Sequence, residues 1–416
     1  MKMMKNAIVA QSGGPTTAIN ASLAGVIKGC LESHEIDVLY GALNGVEGLM
    51  DERLVNLTDI FDHNEENLNV LKLTPAMYLG SCRRKLKDVD QDSSEYDIII
   101  NIFRKYHIHY FFYIGGNDSM DTVGKMSRYV KEHQMDVKVI GIPKTIDNDL
   151  VVTDHTPGFG SAARYVAASV LEMAHDTYIY NTKSVLIAEI MGRDAGWLTA
   201  ASVLARNSYS RAPHLIYLPE HPFSKEQFIE DIKAQFKQRE HIVIAVSEGI
   251  RLADGRYICE LGSSGDYVDA FGHKQLAGTA TYLANFLAAE CGCKTRAVEL
   301  STLQRSASHM ASRVDIDEAF MVGGAAVKAA DEGDTGKMIV IDRVSDDPYM
   351  ATTGIYDVHR IANEEKVVPR NWMNKDASYV TKDFVDYISP LIQGDYQPIM
   401  VNGLPRHLVL NLKKRR

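Results

Sequence analysis

The chain has 416 residues, which is more than one ordinary hydrophobic core holds and fits two α/β lobes that share a cleft. Hydrophobic residues make up 45% and charged residues 24%, proportions that exclude wholesale disorder. The formal net charge of -9 argues against a general affinity for nucleic acid, because binding to a phosphate backbone needs a basic face.

In chain order, short runs rich in Val, Ile and Tyr alternate with amphipathic stretches of helical length, which is typical of βαβ units and a mostly parallel sheet. We predict strands at residues 7–10, 110–114, 137–142, 184–190, 241–247 and 338–342. Apolar spacing predicts helices at residues 17–31, 119–132, 161–174, 225–238 and 274–289. The predicted fold is α/β, with two lobes of mostly parallel sheets flanked by helices and an active site in the cleft between them.

Two polar junctions divide the chain, one around 148–160 and one around 299–312. The first lobe is predicted to comprise residues 1–160 and roughly 306–348, and the second residues 161–305. Residues 349–416 are predicted to be an extension packed on the lobes. Five scattered cysteines argue against a disulfide framework, and no apolar run is long enough for a signal or spanning segment. We therefore expect a cytoplasmic protein that does not contact a membrane.

Two Gly-Gly turns lead from a predicted strand into a predicted helix. The first contains Gly13 and Gly14, and the second contains Gly115 and Gly116 followed by Asn117-Asp118-Ser119. Glycine lets the backbone approach an anion closely, and a helix start offers N–H groups and a positive dipole end. Each turn is equally compatible with a tight βα connection, and Asp118 or Ser119 with a simple helix N-cap.

A loop rich in charge follows the predicted strand at 137–142, where open α/β sheets place their ligands. It reads Pro143-Lys144-Thr145-Ile146-Asp147-Asn148-Asp149. Asp147 is suited to accept a hydroxyl proton, and Lys144 to offset charge on a transferred group. The alternative is an Asx-rich turn closed by a salt bridge.

Further anion-binding candidates follow the later strands. Met191-Gly192-Arg193 offers an arginine clamp for a phosphate or hydroxyl, although Arg193 could equally pair with Asp194. Glu248 ends a strand at a position suited to sugar hydroxyls. Arg296, Thr302 and Arg305 would form a compact anion site if their strand ends at the cleft.

Taken together, the segments GGP, GGNDS, PKTIDND, MGR and LQR resemble the phosphofructokinase family in their order. The resemblance covers at least residues 7–305 and implies transfer of a phosphoryl group to the 1-hydroxyl of fructose 6-phosphate, with Asp147 as the proton acceptor. It also implies a donor site and a sugar-phosphate site. The donor site includes Gly13, Gly14, Arg83, Gly116 and Ser119. The sugar-phosphate site includes Thr145, Asp147, Met191, Gly192, Arg193, Glu248, Arg296, Thr302 and Arg305.

Two positions in this family indicate the phosphoryl donor. Members that use ATP typically carry Gly at the positions of Asp118 and Lys144, whereas members that use pyrophosphate carry Asp and Lys. The resemblance therefore implies a pyrophosphate-dependent enzyme in which Lys144, Asp118 and Asp147 are catalytic. The physics agrees, because the Asp118 carboxylate would repel the α-phosphate of a nucleotide.

The resemblance also implies Mg²⁺ as cofactor, with Asn117 and Asp149 as candidate ligands, and a homo-oligomer, either a dimer or a tetramer. Asn117 stands where the family usually has Asp, although an amide oxygen can also bind a hard cation. Thr302 replaces a common His or Tyr, and Ser184 stands where bacterial ATP-using enzymes contribute an Arg across a subunit boundary. Two alternatives are an ATP-dependent enzyme of the same fold and a silent regulatory subunit that binds sugar phosphate. A dinucleotide-binding oxidoreductase is less favoured, because neither turn has the G-x-G-x-x-G pattern.

Overall fold

Strands and helices alternate through the N-terminal part of the chain, as the sequence pattern predicts. The computed structural model describes residues 5–262 and 276–410. The first strands and helices are β1 (Asn6–Gln11), α1 (Ile19–Glu32), β2 (Leu39–Ala42), α2 (Gly45–Met50), β3 (Leu54–Asn56), α3 (Thr58–Phe61), α4 (Glu65–Lys72), α5 (Ser94–Lys105), β4 (Ile108–Gly115), α6 (Asn117–Glu132) and β5 (Lys138–Pro143).

A second set of elements forms a separate four-stranded sheet. It comprises α7 (Phe159–Tyr178), β6 (Ser184–Ile190), α8 (Trp197–Ala201), β7 (Leu215–Tyr217), α9 (Lys225–Phe236), β8 (His241–Ser247), α10 (Thr279–Cys291) and β9 (Lys294–Glu299). The strand order is β7-β8-β6-β9, and all pairs are parallel. The helix predicted from Lys274 starts at Thr279, and Lys274 itself lies outside the described residues.

The chain then returns to the first sheet. The remaining elements are α11 (Arg313–Asp331), β10 (Lys337–Asp346), β11 (Tyr349–Asp357), α12 (Lys382–Ile388), β12 (Met400–Val401) and β13 (Leu404–Pro405). The large sheet has seven strands in the order β11-β10-β5-β4-β1-β2-β3, with β3 and β11 antiparallel to their neighbours. Tyr349, predicted to begin an extension, instead begins the edge strand β11 of this sheet.

Both faces of the large sheet are covered by helices, as parallel sheets require. All six residues of β1 are buried. Its Ala7 and Val9 pack with α1, whereas Ile8 and Ala10 pack in a second cluster with α5. The prediction of an α/β fold with mostly parallel sheets is confirmed. Among the helices of the described residues, none is both long and apolar enough to cross a bilayer.

The sheet topology places the chemically interesting loops together. β1, β4 and β5 are parallel neighbours in the large sheet, so the loops that follow them leave the same edge. β6 and β8 are parallel neighbours in the small sheet, and their following loops likewise leave one edge. Short elements such as β2, β3 and α2 to α4 were not predicted, because segments of three to eight residues carry little periodicity.

Candidate active site

The loop after β1 and the lysine after β5 are in direct contact. Gly13 has φ +80, and a Cβ added there would lie 3.1 Å from Lys144 Nζ. Lys144 Nζ donates a hydrogen bond to the Gly14 carbonyl oxygen at 2.7 Å. The Gly13 amide donates to the Cys82 carbonyl oxygen at 3.3 Å, which ties this loop to the segment that carries Arg83. Glycine is required here by both the backbone conformation and the close approach of Lys144.

The second Gly-Gly turn opens α6 and presents Asp118 to the same space. Gly116 is the N-cap of α6, and no side chain makes a capping hydrogen bond there, so the simple N-cap interpretation of Asp118 and Ser119 is not observed. Ser119 Oγ is instead hydrogen-bonded to Ser12 Oγ. Asp118 Oδ1 lies 2.7 Å from Lys85 Nζ and forms an ion pair. Lys85 was not predicted, although it lies only two residues after Arg83.

The loop after β5 is held by hydrogen bonds that orient its carboxylates. The Asp147 amide donates to Thr145 Oγ1 at 3.0 Å, and Thr156 Oγ1 donates to the Thr145 carbonyl oxygen at 2.8 Å. Lys144 is buried, with 4% of its surface exposed. The loop thus carries a buried cation and two carboxylates, Asp147 and Asp149, into one place.

Burial and charge change the proton affinities of these groups. Burial and the negative charge of Asp149 raise the pKa of Asp147 to about 7, against the opposing effect of Lys144 and Arg193. Burial lowers the pKa of Lys144 to about 8, although Asp149 and Asp147 favour its charged form. Groups that titrate near neutral pH are suited to proton transfer.

Residues after β6 and β8 form the opposite wall of the site. Gly192, with φ +135, donates its amide proton to Glu248 Oε1 at 3.4 Å. Burial and the charge of Asp147 raise the pKa of Glu248 to about 8. Asp194 forms an ion pair with Arg251. Arg305 approaches the loop after β1, because a Cβ on Gly14 would lie 3.5 Å from its Nη1.

These walls enclose a cavity of about 620 Å³. Fifteen of the predicted site residues line it: Gly13, Gly14, Arg83, Gly116, Asn117, Asp118, Ser119, Lys144, Thr145, Asp147, Asp149, Met191, Arg193, Glu248 and Arg305. Gly192 contributes through its hydrogen bond to Glu248. The cavity therefore brings glycine loops, a lysine, arginines and carboxylates from both sheets together.

Besides Gly192, two predicted site residues do not line the cavity. Arg296, on β9, pairs with Asp176 at 2.6 Å and donates to Tyr180 Oη at 3.1 Å. Thr302 is exposed and uses its carbonyl oxygen to accept a hydrogen bond from Ser306 Oγ at 2.9 Å. Within this chain, Arg296 and Thr302 thus lie outside the cavity lining that contains Lys144 and Asp147.

The family model described as "Phosphofructokinase" matches residues 6–329. The chain belongs to the phosphofructokinase family. It is 40% identical over 414 residues to the pyrophosphate–fructose 6-phosphate 1-phosphotransferase of Halomonas elongata, covering 99% of this chain and 97% of that protein. The corresponding protein of Xanthomonas campestris is 41% identical over 409 residues, covering 97% and 96%. The crystal structure of a pyrophosphate-dependent phosphofructokinase from Nitrosospira multiformis matches with a TM-score of 0.88 and 35% identity, covering 98% of this chain and 96% of that one.

One wall of the cavity in this phosphofructokinase comes from a segment that the sequence motifs do not include. Asn363 and Glu365 line the cavity, and both belong to residues 363–368, which follow the large sheet. The Asn117 side chain makes two hydrogen bonds to this segment, one through its amide nitrogen and one through its amide oxygen. No local pattern marks the segment, because its partner Asn117 lies more than 200 positions away in the chain.

Proposed function

We propose that this chain catalyses the reversible transfer of a phosphoryl group from pyrophosphate to the 1-hydroxyl of fructose 6-phosphate, giving fructose 1,6-bisphosphate and phosphate. One observation carries the proposal: a single cavity holds Asp147 and Lys144 between the glycine loop and Arg193. Full-length similarity to enzymes that are named for this reaction supports it.

Asp147 is the general base of the proposed reaction. Its carboxylate takes the proton from the sugar hydroxyl, and the hydroxyl oxygen attacks the near phosphorus of pyrophosphate in line. The bond from that phosphorus to the bridging oxygen breaks, and phosphate leaves with the bonding electrons. Lys144 stabilises the leaving phosphate, and its hydrogen bond to the Gly14 carbonyl oxygen fixes the ammonium group beside the donor loop. An anionic donor favours the charged form of Lys144.

The sugar phosphate binds to the wall formed after β6, β8 and β9. Arg193 and Arg305 offer planar donor groups for the 6-phosphate, in the way that guanidinium groups bind phosphate oxygens. Glu248 lies on the same wall, and its carboxyl oxygens accept hydrogen bonds from sugar hydroxyls. These contacts hold the hydroxyl in reach of Asp147, and positioning of this kind supplies much of the rate in phosphoryl transfer.

The donor is selected beside α6. Asp118 and Lys85 form an ion pair on the cavity wall, next to the glycine loop. The Asp118 carboxylate would repel the α-phosphate of ATP, whereas pyrophosphate has no third phosphate to place there. This favours pyrophosphate over the alternative, an ATP-dependent enzyme of the same fold.

The residues present fit Mg²⁺ in part. Asp149 Oδ1 is buried without a hydrogen-bond partner among the described residues. Carboxylate oxygens of this kind coordinate hard cations such as Mg²⁺. The Asn117 amide oxygen, in contrast, accepts a hydrogen bond from the Asn363 amide. Over residues 5–262 and 276–410, no three His, Cys, Asp or Glu side chains cluster as a metal site. Asp149 would hold the ion together with donor phosphate oxygens, and the ion would neutralise phosphate charge.

The remaining parts of the proposal concern organisation. Residues 1–160 and roughly 306–348, together with the edge strand β11, form the donor lobe, and residues 161–305 form the sugar-phosphate lobe. The rest of residues 349–416 form a C-terminal extension packed on the lobes. The protein acts in the cytoplasm in glycolysis, as a homodimer or homotetramer. Light scattering behind a sizing column, which measures the mass of the assembly, tests the oligomeric state.

A coupled assay tests the proposed function. Purified protein with Mg²⁺ and fructose 6-phosphate is given pyrophosphate or ATP, and formation of fructose 1,6-bisphosphate is measured; the reverse reaction starts from the bisphosphate and phosphate. We expect turnover with pyrophosphate in both directions, and Asp147→Ser to lower it by at least ~10²-fold while fructose 6-phosphate still binds. Preference of the parent for ATP would contradict the donor, and turnover of Asp147→Ser within a few-fold of the parent would contradict the base.

A further inference from the structure

A segment that follows the large sheet crosses the cleft and touches both lobes. We call residues 363–368 the strap. On one side, Asn117 Nδ2 donates to the Glu364 carbonyl oxygen at 2.6 Å, and the Asn363 amide donates to Asn117 Oδ1 at 2.5 Å. Asn117 is the first residue of α6, in the turn that carries Asp118. The strap is thus attached directly beside the donor site.

The middle of the strap is attached to the catalytic loop. The Lys366 amide donates to the Asp149 carbonyl oxygen at 2.8 Å. The ammonium group of Lys366 donates to the carbonyl oxygens of Thr153 at 3.1 Å and Asp154 at 2.5 Å. Burial lowers the pKa of Lys366 to about 8. The two carbonyl oxygens accept hydrogen bonds from this largely buried group. The strap therefore contacts the loop that presents Asp147.

The end of the strap is attached to the small sheet. Trp197 Nε1 donates to the Lys366 carbonyl oxygen at 2.8 Å, and the Val368 amide donates to Glu220 Oε1 at 2.9 Å. Glu220 Oε1 also accepts from the Gly196 amide at 2.8 Å, in the loop that carries Arg193. One short segment thereby connects the donor turn, the catalytic loop and the wall predicted to bind the sugar phosphate.

We infer that the strap completes the active site, and that Asn117 is a positioning residue that attaches it rather than a metal ligand. Both ends of the Asn117 amide are used: its Nδ2 donates and its Oδ1 accepts. Aspartate, the residue that is usual at this position in the family, could accept from the Asn363 amide but would place a carboxylate against the Glu364 carbonyl oxygen. The Asn side chain is the one of these two that satisfies both partners.

The expected change in the KM for pyrophosphate rests on the proposed function, whereas the expected change in the rate of proteolytic cleavage does not. Release of the strap opens one wall of the cavity, so we expect the KM for pyrophosphate to rise, roughly tenfold for two lost hydrogen bonds, with a smaller change in kcat. The side chains of Glu364 and Glu365 are exposed, but hydrogen bonds to Asn117 hold the backbone of Asn363 and Glu364. Release frees this backbone for cleavage by glutamyl endopeptidase, and the cleavage is measured without any substrate.

The test compares Asn117→Asp, Asn117→Ala and the control Asn69→Asp, an exposed residue of α4 outside the cavity lining. Rates of cleavage after Glu364 and Glu365 are measured by mass spectrometry, together with the KM for pyrophosphate and the Mg²⁺ concentration for half-maximal activity. We expect both Asn117 variants to be cleaved roughly tenfold faster than the parent and the control, and to need unchanged Mg²⁺. Cleavage elsewhere in the chain reports global unfolding and separates it from release of the strap.

Two results would overturn the inference. The first is cleavage of both Asn117 variants at the parental rate. The second is an opposite response of the two variants, with Asn117→Asp needing less Mg²⁺ than the parent and Asn117→Ala more, because that pattern is expected of a metal ligand. A parent without pyrophosphate-dependent activity would contradict the proposed function, and the cleavage rates would still decide whether Asn117 attaches the strap.

Discussion

The pH dependence of the reaction should depend on Asp149, because its charge acts on the proposed base. Burial and Asp149 raise the pKa of Asp147 to about 7. At pH 6, about a tenth of the free enzyme would carry ionised Asp147, and kcat/KM should fall about tenfold for each further unit of acidification. On the basic side, Lys144, with its pKa lowered to about 8 by burial, must keep its proton. A bell-shaped profile is expected, and an anionic donor moves its basic limb upward.

The substitution Asp149→Asn removes the neighbouring charge while keeping the shape of the side chain. The acid limb of kcat/KM should then move to lower pH by about one unit, because a nearby like charge disfavours ionisation by about that much. The assay measures kcat/KM for fructose 6-phosphate from pH 5.5 to 9 with pyrophosphate held well below its KM, so that the profile reports the free enzyme. Ionisation of the substrates is the same for parent and variant, so the difference between the profiles belongs to the protein.

A matched control is Asp254→Asn, which changes an exposed carboxylate outside the cavity lining and should leave the profile in place. The loss of total activity in Asp149→Asn is irrelevant to the test, since the measured quantity is the position of the limb. An acid limb that stays in place in Asp149→Asn, or a parental limb near the ordinary carboxyl range, would refute the coupling of the two carboxylates.

Three further predictions concern binding, donor choice and stability. Arg193→Ala and Arg305→Ala should each raise the KM for fructose 6-phosphate by at least roughly tenfold, since each removes a charge-assisted hydrogen bond worth roughly 1.5–3 kcal/mol; initial rates measure this. Asp118→Gly should let ATP support measurable turnover, seen as kcat/KM with ATP against pyrophosphate. Burial disfavours charged His155, but the Glu318 carboxylate 2.6 Å away and Asp154 raise its pKa to about 9. Protonated His155 stabilises the folded state, and this contribution is complete below the unfolded pKa of 6.5 and is lost as the pH rises through the folded pKa. The free energy of unfolding in urea should therefore fall by about 3 kcal/mol between pH 6.5 and 9.5, and His155→Gln should lack this loss.

Each of these expectations has a result that contradicts it. If the arginine variants changed only the KM for pyrophosphate, the two subsites would be exchanged. Unused ATP with unchanged pyrophosphate use in Asp118→Gly would remove the donor-selection argument. Equal pH dependence of unfolding in the parent and His155→Gln would show that the buried ion pair does not carry the stability, and the other titrating groups, shared by both proteins, would then account for it.

Local features of the sequence determine much of the fold and the chemistry. Apolar runs located β6 and β8 at their observed bounds, because a buried parallel strand needs continuous apolar side chains wherever it is placed. The family was identifiable from the order of its motifs. The loop 143–149 could be assigned to the cavity because loops after parallel strands leave one edge of a sheet.

Tertiary structure decided which side chains meet across the cleft. Asn117 and Asn363 are 246 positions apart, and no periodicity near either residue indicates that they bind each other. Lys85 lies only two residues after Arg83 in the sequence. Its ion pair with Asp118 depends on how the segment that carries both residues packs against α6. Arg296 pairs with Asp176, away from the cavity, because its strand β9 lies at the edge of the small sheet. Periodicity reports which face of an element is buried, whereas these contacts depend on the relative placement of whole elements, which only packing determines.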